Sequence, residues 1–143
     1  MDDTNHLEDF KINIKLKLSA LWAGLTLCYL YCDYFELYVP EKIDGIISGE
    51  NLLNSPTKLF IAGVVLAIPA LMVFLSILLK PILSKWLNII VGILFTVIML
   101  LIAFTYNEVW YTFYLFYAIL ESLITTAIVW YAWKWPKSIK KEK

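Results

Sequence analysis

The sequence predicts an all-α polytopic membrane protein, an antiparallel bundle of four transmembrane helices. Three observations predict it. The chain is 61% hydrophobic with a mean hydropathy of +0.73, too apolar for a soluble domain of 143 residues. Four apolar segments each reach the roughly 20 residues that a bilayer crossing requires. The lysines fall almost entirely on one side of those segments.

The first segment runs from about Lys17 to Val39 and the second from about Thr57 to Leu79. The third runs from about Trp86 to Tyr106 and the fourth from about Val109 to Trp133. A bilayer core offers no water to backbone N–H and C=O groups, so each segment must satisfy its own and is helical. The first apolar run follows Lys11, Lys15 and Lys17 as in a signal peptide. It is too long for one and lacks a small-x-small cleavage site, so it reads as a retained helix. Pro69 near the middle of the second span has no N–H, leaves the Val65 carbonyl without its helical donor, and predicts a kink.

Orientation follows from the lysines. Lys11, Lys15 and Lys17 precede the first span, Lys80 and Lys85 lie in the second connection, and Lys134, Lys137, Lys140, Lys141 and Lys143 fill the tail. Only Lys42 and Lys58 fall on the other side. This bias places both termini in the cytoplasm of a multi-pass protein. Residues 1–16 form a cytoplasmic segment, 17–133 the transmembrane domain and 134–143 a basic cytoplasmic tail. Trp130, Tyr131, Trp133 and Trp135 make an aromatic belt ahead of the tail lysines. The longest connection, Pro40 to Pro56, lies outside, where Ile43, Ile46, Ile47, Leu52 and Leu53 suit a short amphipathic piece. Gly45 and Gly49 argue against a long helix there.

Twelve basic groups, all lysine, balance twelve acidic ones, which gives no pull toward nucleic acid. Without arginine there is no bidentate fork for phosphate. The single histidine, His6, lies in the N-terminal tail. Cys28 and Cys32 are four apart with no further cysteine or histidine cluster to complete a metal site, and read as small packing residues. The sequence carries no cofactor motif and no nucleophile arrangement, which argues against an enzyme.

The chemistry lies in polar stripes. On the first helix Lys15, Ser19, Trp22, Thr26, Tyr29, Asp33 and Glu36 recur every three or four residues and share one face. That face should turn inward, leaving Leu21, Leu25 and Leu30 toward lipid. On the fourth helix Asn107, Trp110, Tyr114, Tyr117, Glu121 and Thr125 repeat the pattern. The third offers Asn88, Gly92, Phe95, Met99 and Tyr106. At about 1.5 Å per residue, Asp33 and Glu121 lie about one helical turn apart in height. No lysine or histidine stands in the middle of any span. A mid-membrane carboxylate costs about 2.5–3.5 kcal/mol on insertion scales. Three arrangements accommodate such acids: the neutral protonated form, a bound cation, or a wet cavity.

The segments "LKLSALWA" (Leu16 to Ala23), "DYFELYVP" (Asp33 to Pro40), "AIP" (Ala67 to Pro69), "WLNII" (Trp86 to Ile90) and "IVWYAWKWP" (Ile128 to Pro136) together resemble an uncharacterised family of small bacterial four-helix membrane proteins, a domain of unknown function. The resemblance covers nearly the whole chain and implies a bacterial inner-membrane location. It implies no activity.

The reading from the residues is a binding or transport protein. It holds a small cation, a proton or a lipophilic cationic ligand in a pocket made by Asp33, Glu36, Glu121, Trp22, Tyr29, Tyr114, Tyr117, Trp110 and Asn88. The alternative is an accessory or assembly protein whose polar stripes only specify helix pairing. A membrane enzyme acting on a lipid-like substrate comes third. The expected partners are the bilayer, the ligand and further copies of the chain in a homo-oligomer. Whether Asp33 and Glu121 meet at a cavity separates the first two readings.

Overall fold

The computed structural model describes residues 11–105 and 109–136. Tyr106, Asn107, His6 and the tail lysines from Lys137 onward, singled out in the sequence, lie outside the described residues. The described chain is all-α, with helices α1 (Ile14–Glu36), α2 (Lys42–Ser48), α3 (Pro56–Leu78), α4 (Pro81–Thr105) and α5 (Thr112–Trp133). A 3-10 turn at Val109–Tyr111 leads into α5.

Local chemistry explains the boundaries. The Asn13 side chain accepts the Lys15 N–H at 2.9 Å and starts α1, satisfying one donor that a helix leaves unpaired. Ser55 does the same for Lys58, and Pro56 takes the first position of α3, where its missing N–H costs nothing. Pro81 opens α4 in the same way, so α4 begins before the predicted Trp86 and takes in Lys85. The link between α3 and α4 shrinks to Leu79 and Lys80. The first helix, expected to reach Val39, ends at Glu36. Tyr38 and Val39 make turn bonds back to Phe35 and Glu36, and Glu41 adopts a left-handed backbone (φ 64°) that reverses the chain into α2. Gly49, at φ 78°, closes α2. Through Pro69, which is buried, α3 continues as one helix.

Among the described residues, three helical segments are long and apolar enough to cross a membrane: Pro56–Leu78, Pro81–Phe104 and Val109–Trp133. α1 is not among them, because Ser19, Trp22, Thr26, several tyrosines and Asp33 dilute its apolar character. The exposed surface of α3, from Leu59 through Val64 to Phe74, is apolar.

α1 packs against α3 and α5, and α4 packs against α5 and more sparsely against α3. α1 and α3 run in opposite directions, since the Lys15 ammonium near the start of α1 donates to the Ile77 and Leu79 carbonyls at the end of α3 (2.9 and 2.5 Å). α4 and α5 also run oppositely: Thr96 bonds Thr125 at 2.7 Å, while Gly92 lies against Val129. The core is drawn from Leu18, Trp22, Leu25 and Tyr29 of α1, Met72 of α3, Ile89, Phe95 and Met99 of α4, and Ile128 and Ala132 of α5.

Leu25 corrects an expectation. It was assigned to the lipid side and is 0% exposed. Because α1 is flanked by both α3 and α5, its buried face is wider than the polar stripe alone and takes in Leu18 and Leu25 beside Trp22 and Tyr29. Leu21 is half-buried and Leu30 is exposed.

Candidate functional site

Among the described residues, two polar centres involve α1, and they differ in one respect. The first is closed. Trp22 Nε1 donates to Asn88 Oδ1 at 2.7 Å, and Ser76 Oγ donates to the same oxygen at 3.1 Å. The Asn88 amide donates to the Ser84 carbonyl at 2.8 Å, and Ser84 Oγ donates to the Ser76 carbonyl at 3.0 Å. Asn88, Ser76, Ser84 and Trp22 are fully buried. Every strong donor and acceptor in the cluster has a partner within α1, α3 and α4, so it has little left to offer a ligand. Trp22 and Asn88, both assigned to a ligand pocket from the sequence, belong instead to this packing network.

The second centre is open. A cavity of about 540 Å³ lies between the other ends of the helices. α1 supplies Tyr29, Cys32, Asp33 and Glu36; α3 supplies Ala62, Val65 and Leu66; α4 supplies Phe95, Ile98, Met99 and Ile102; α5 supplies Tyr114, Ala118 and Glu121. Lys42 and Ile46 of α2, with Asn51, Leu52 and Leu53 beyond it, cover one side. The wall is mostly apolar, with the acids set into it.

Glu121 is 2% exposed, and its Oε1 has no hydrogen-bond partner. The Tyr29 hydroxyl, also buried and on the same cavity, likewise has none. A buried polar atom left unpaired costs about 1–3 kcal/mol, and such an atom in a folded protein needs an explanation. Asp33 is exposed along the cavity's flank and lies close enough to Glu121 for their charges to interact. Glu36, at the cavity's edge, is ion-paired with Lys42. Tyr29 stands against Phe95 with ring centroids 6.1 Å apart. Among the described residues, no three His, Cys, Asp or Glu side chains cluster as a metal site requires.

A family model matches residues 6–141 of the chain. The chain belongs to DUF6326, a family of unknown function. No curated protein and no solved structure matches it.

Of the nine residues singled out from the sequence of this DUF6326 protein, Asp33, Glu36, Glu121, Tyr29 and Tyr114 line the cavity. Four do not. Trp22 and Asn88 sit in the closed network, and Trp110 is 63% exposed in the 3-10 turn. Tyr117 is half-buried with its ring edge-on to Phe116. Two chemistry-bearing residues on the cavity wall escaped the sequence reading. Cys32, read as packing, is on the cavity wall. Lys42, read as a loop residue, is ion-paired with Glu36 at the cavity's edge. The signal for it was the Pro40 turn between two opposite charges only six residues apart.

Proposed function

We propose that the chain is a four-span protein of the bacterial inner membrane, with both termini cytoplasmic, that binds a small lipophilic cation in the cavity between its helices. The observation that carries this reading is the unpaired, buried Glu121 Oε1 on an apolar cavity that also presents Asp33. A cavity of about 540 Å³ falls within the roughly 300–1,000 Å³ typical of small-molecule sites. A lipophilic monocation satisfies both halves of the wall. Its charge neutralises the acid that the protein leaves unpaired, and its apolar body fills the space between Phe95, Met99 and Leu66. The faces of Tyr29, Tyr114 and Phe95 add attraction for a cation, worth about 0.5–2 kcal/mol per ring when desolvated. A proton or a small cation at the same acids is the transport variant of this reading.

The inner half of the first helix's stripe takes the accessory protein's part, since the Trp22–Asn88 cluster specifies helix packing. The cavity half is what a packing role leaves unexplained.

The test is calorimetric titration of the detergent-purified protein with tetraphenylphosphonium. Wild type should bind, and Glu121→Gln, which keeps the shape and removes the charge, should lose at least tenfold in affinity, about 1.4 kcal/mol. A wild-type protein that neither binds tetraphenylphosphonium nor gains heat stability from lipophilic amines would sink the proposal.

A further inference from the structure

Lys42 stands in a wall common to two cavities. On one side is the acidic cavity already described. On the other is a second space of about 540 Å³, opening among the loops and carrying the polar groups of Glu41, Glu50, Asn51, Asn54 and Tyr111. Lys42, Asn51 and Leu52 border both. The Lys42 ammonium donates to Glu36 Oε1, and both side chains are only partly exposed (27% and 17%). It also acts electrostatically on Asp33.

The backbone places this ammonium. The chain leaves α1 at Glu36, turns at Pro40, and is reversed by the left-handed Glu41. That conformation is costly for a residue with a Cβ, about 1–3 kcal/mol, so the turn is held by its surroundings. The reversal brings Lys42 back over the end of the helix it has just left. A cation in a helix's first turn gains nothing from the helix itself, which favours negative charge there. The favourable partner of Lys42 is therefore the acidic cavity.

We infer that Lys42 is a tethered counter-ion, holding Glu36 at the edge of the acidic cavity while Glu121 is unpaired, and swinging into the outer cavity when an external monocation enters among Glu36, Asp33 and Glu121. This rests on the cation-binding reading above and names the regulation of that same site. Exchange of one monovalent charge for another leaves the charge of the mouth unchanged, so the swap needs no extra ion. It also selects against dications, which would overfill the pair, and against neutral ligands, which cannot release the lysine.

Two measurements with tetraphenylphosphonium test this. Lys42→Met removes the competitor and should raise affinity about tenfold, whereas Lys42→Arg, which keeps a competitor, should stay within about threefold of wild type. Independently of any variant, wild-type protein is acylated with a water-soluble succinimidyl ester and its lysines are quantified by peptide mass spectrometry. Saturating tetraphenylphosphonium should speed modification of Lys42 several-fold while that of Lys58, in the first turn of α3, stays constant. Binding with unchanged labelling of Lys42 overturns the tethered counter-ion and leaves the binding reading standing. Lower affinity in Lys42→Met has the same consequence. Failure of wild type to bind tetraphenylphosphonium removes both.

Discussion

Trp22 on α1 and Asn88 on α4, 66 positions apart, are joined by a 2.7 Å hydrogen bond in a part of the protein from which solvent is excluded. Asn88 Oδ1 also accepts from Ser76, so one amide ties three helices together. Cutting this bond leaves a buried donor or acceptor unpaired, which costs more than the bond is worth in isolation. Trp22→Phe and Asn88→Leu should each lower stability by about 1–3 kcal/mol in a denaturation titration in mild detergent. The double variant should lose less than the sum, because neither partner is then left stranded. Additive losses would mean that the two side chains act independently.

Gly92 of α4 lies directly against Val129 of α5. A Cβ there would come within 2.8 Å of Val129 Cγ2. Valine is stiff at χ1 in a helix and cannot easily turn away. Gly92→Ala should therefore destabilise by about 1–3 kcal/mol, despite alanine's better helix propensity. Adding Val129→Ala should recover most of the loss. A stable Gly92→Ala protein, measured by thermal unfolding, would show that the α4–α5 seam has slack.

The acid at Glu121 carries an unpaired oxygen in an apolar surrounding. Glu121→Leu removes that oxygen without opening the core, and should raise the melting temperature by several degrees, corresponding to about 1–2 kcal/mol. Glu121→Gln should be neutral to stabilising. Both gains belong to the ligand-free protein, and both should vanish relative to wild type when a tight-binding cation is added, since the ligand stabilises only the protein that binds it. A Glu121→Leu protein less stable than wild type would mean that the carboxyl is a packing element.

Orientation is checked by reporter fusions. Fusions after Lys143 should report a cytoplasmic end, and fusions between Gly49 and Asn54 should report the opposite side. A tail outside the cytoplasm would reverse the side from which the cavity opens.

Much of the architecture was legible because its causes are local. Proline at the first turn, an asparagine or serine cap, and unbroken apolar runs mark helices wherever they occur. Asp33 and Glu121 were read as lying at similar depth, and both line the cavity, Glu121 buried and Asp33 exposed on its flank. The burial of Leu25 was not legible, because helical periodicity identifies a polar face but not how many neighbours embrace the rod. Trp22 and Asn88 were recognised as inward-facing, but they sit in the closed network and not on the cavity wall. Whether a buried polar group is already satisfied depends on Ser76 and Ser84 across the bundle, and no spacing along α1 reveals that. Lys42 was missed because its place depends on a left-handed turn at Glu41, a conformation uncommon for a residue with a side chain.

The bond from Lys15 to the end of α3 bears on how the protein is made. A ribosome completes α1 long before the carbonyls of Ile77 and Leu79 exist, and α5, the other helix that covers α1, comes last. At about 5–20 residues per second, several seconds separate the first helix from its final neighbour. Until then the side of α1 that packs against α5 has no protein to cover it. The least apolar of the long helices is thus the one whose cover is completed last, so a chain truncated before α5 should leave that side of α1 bare.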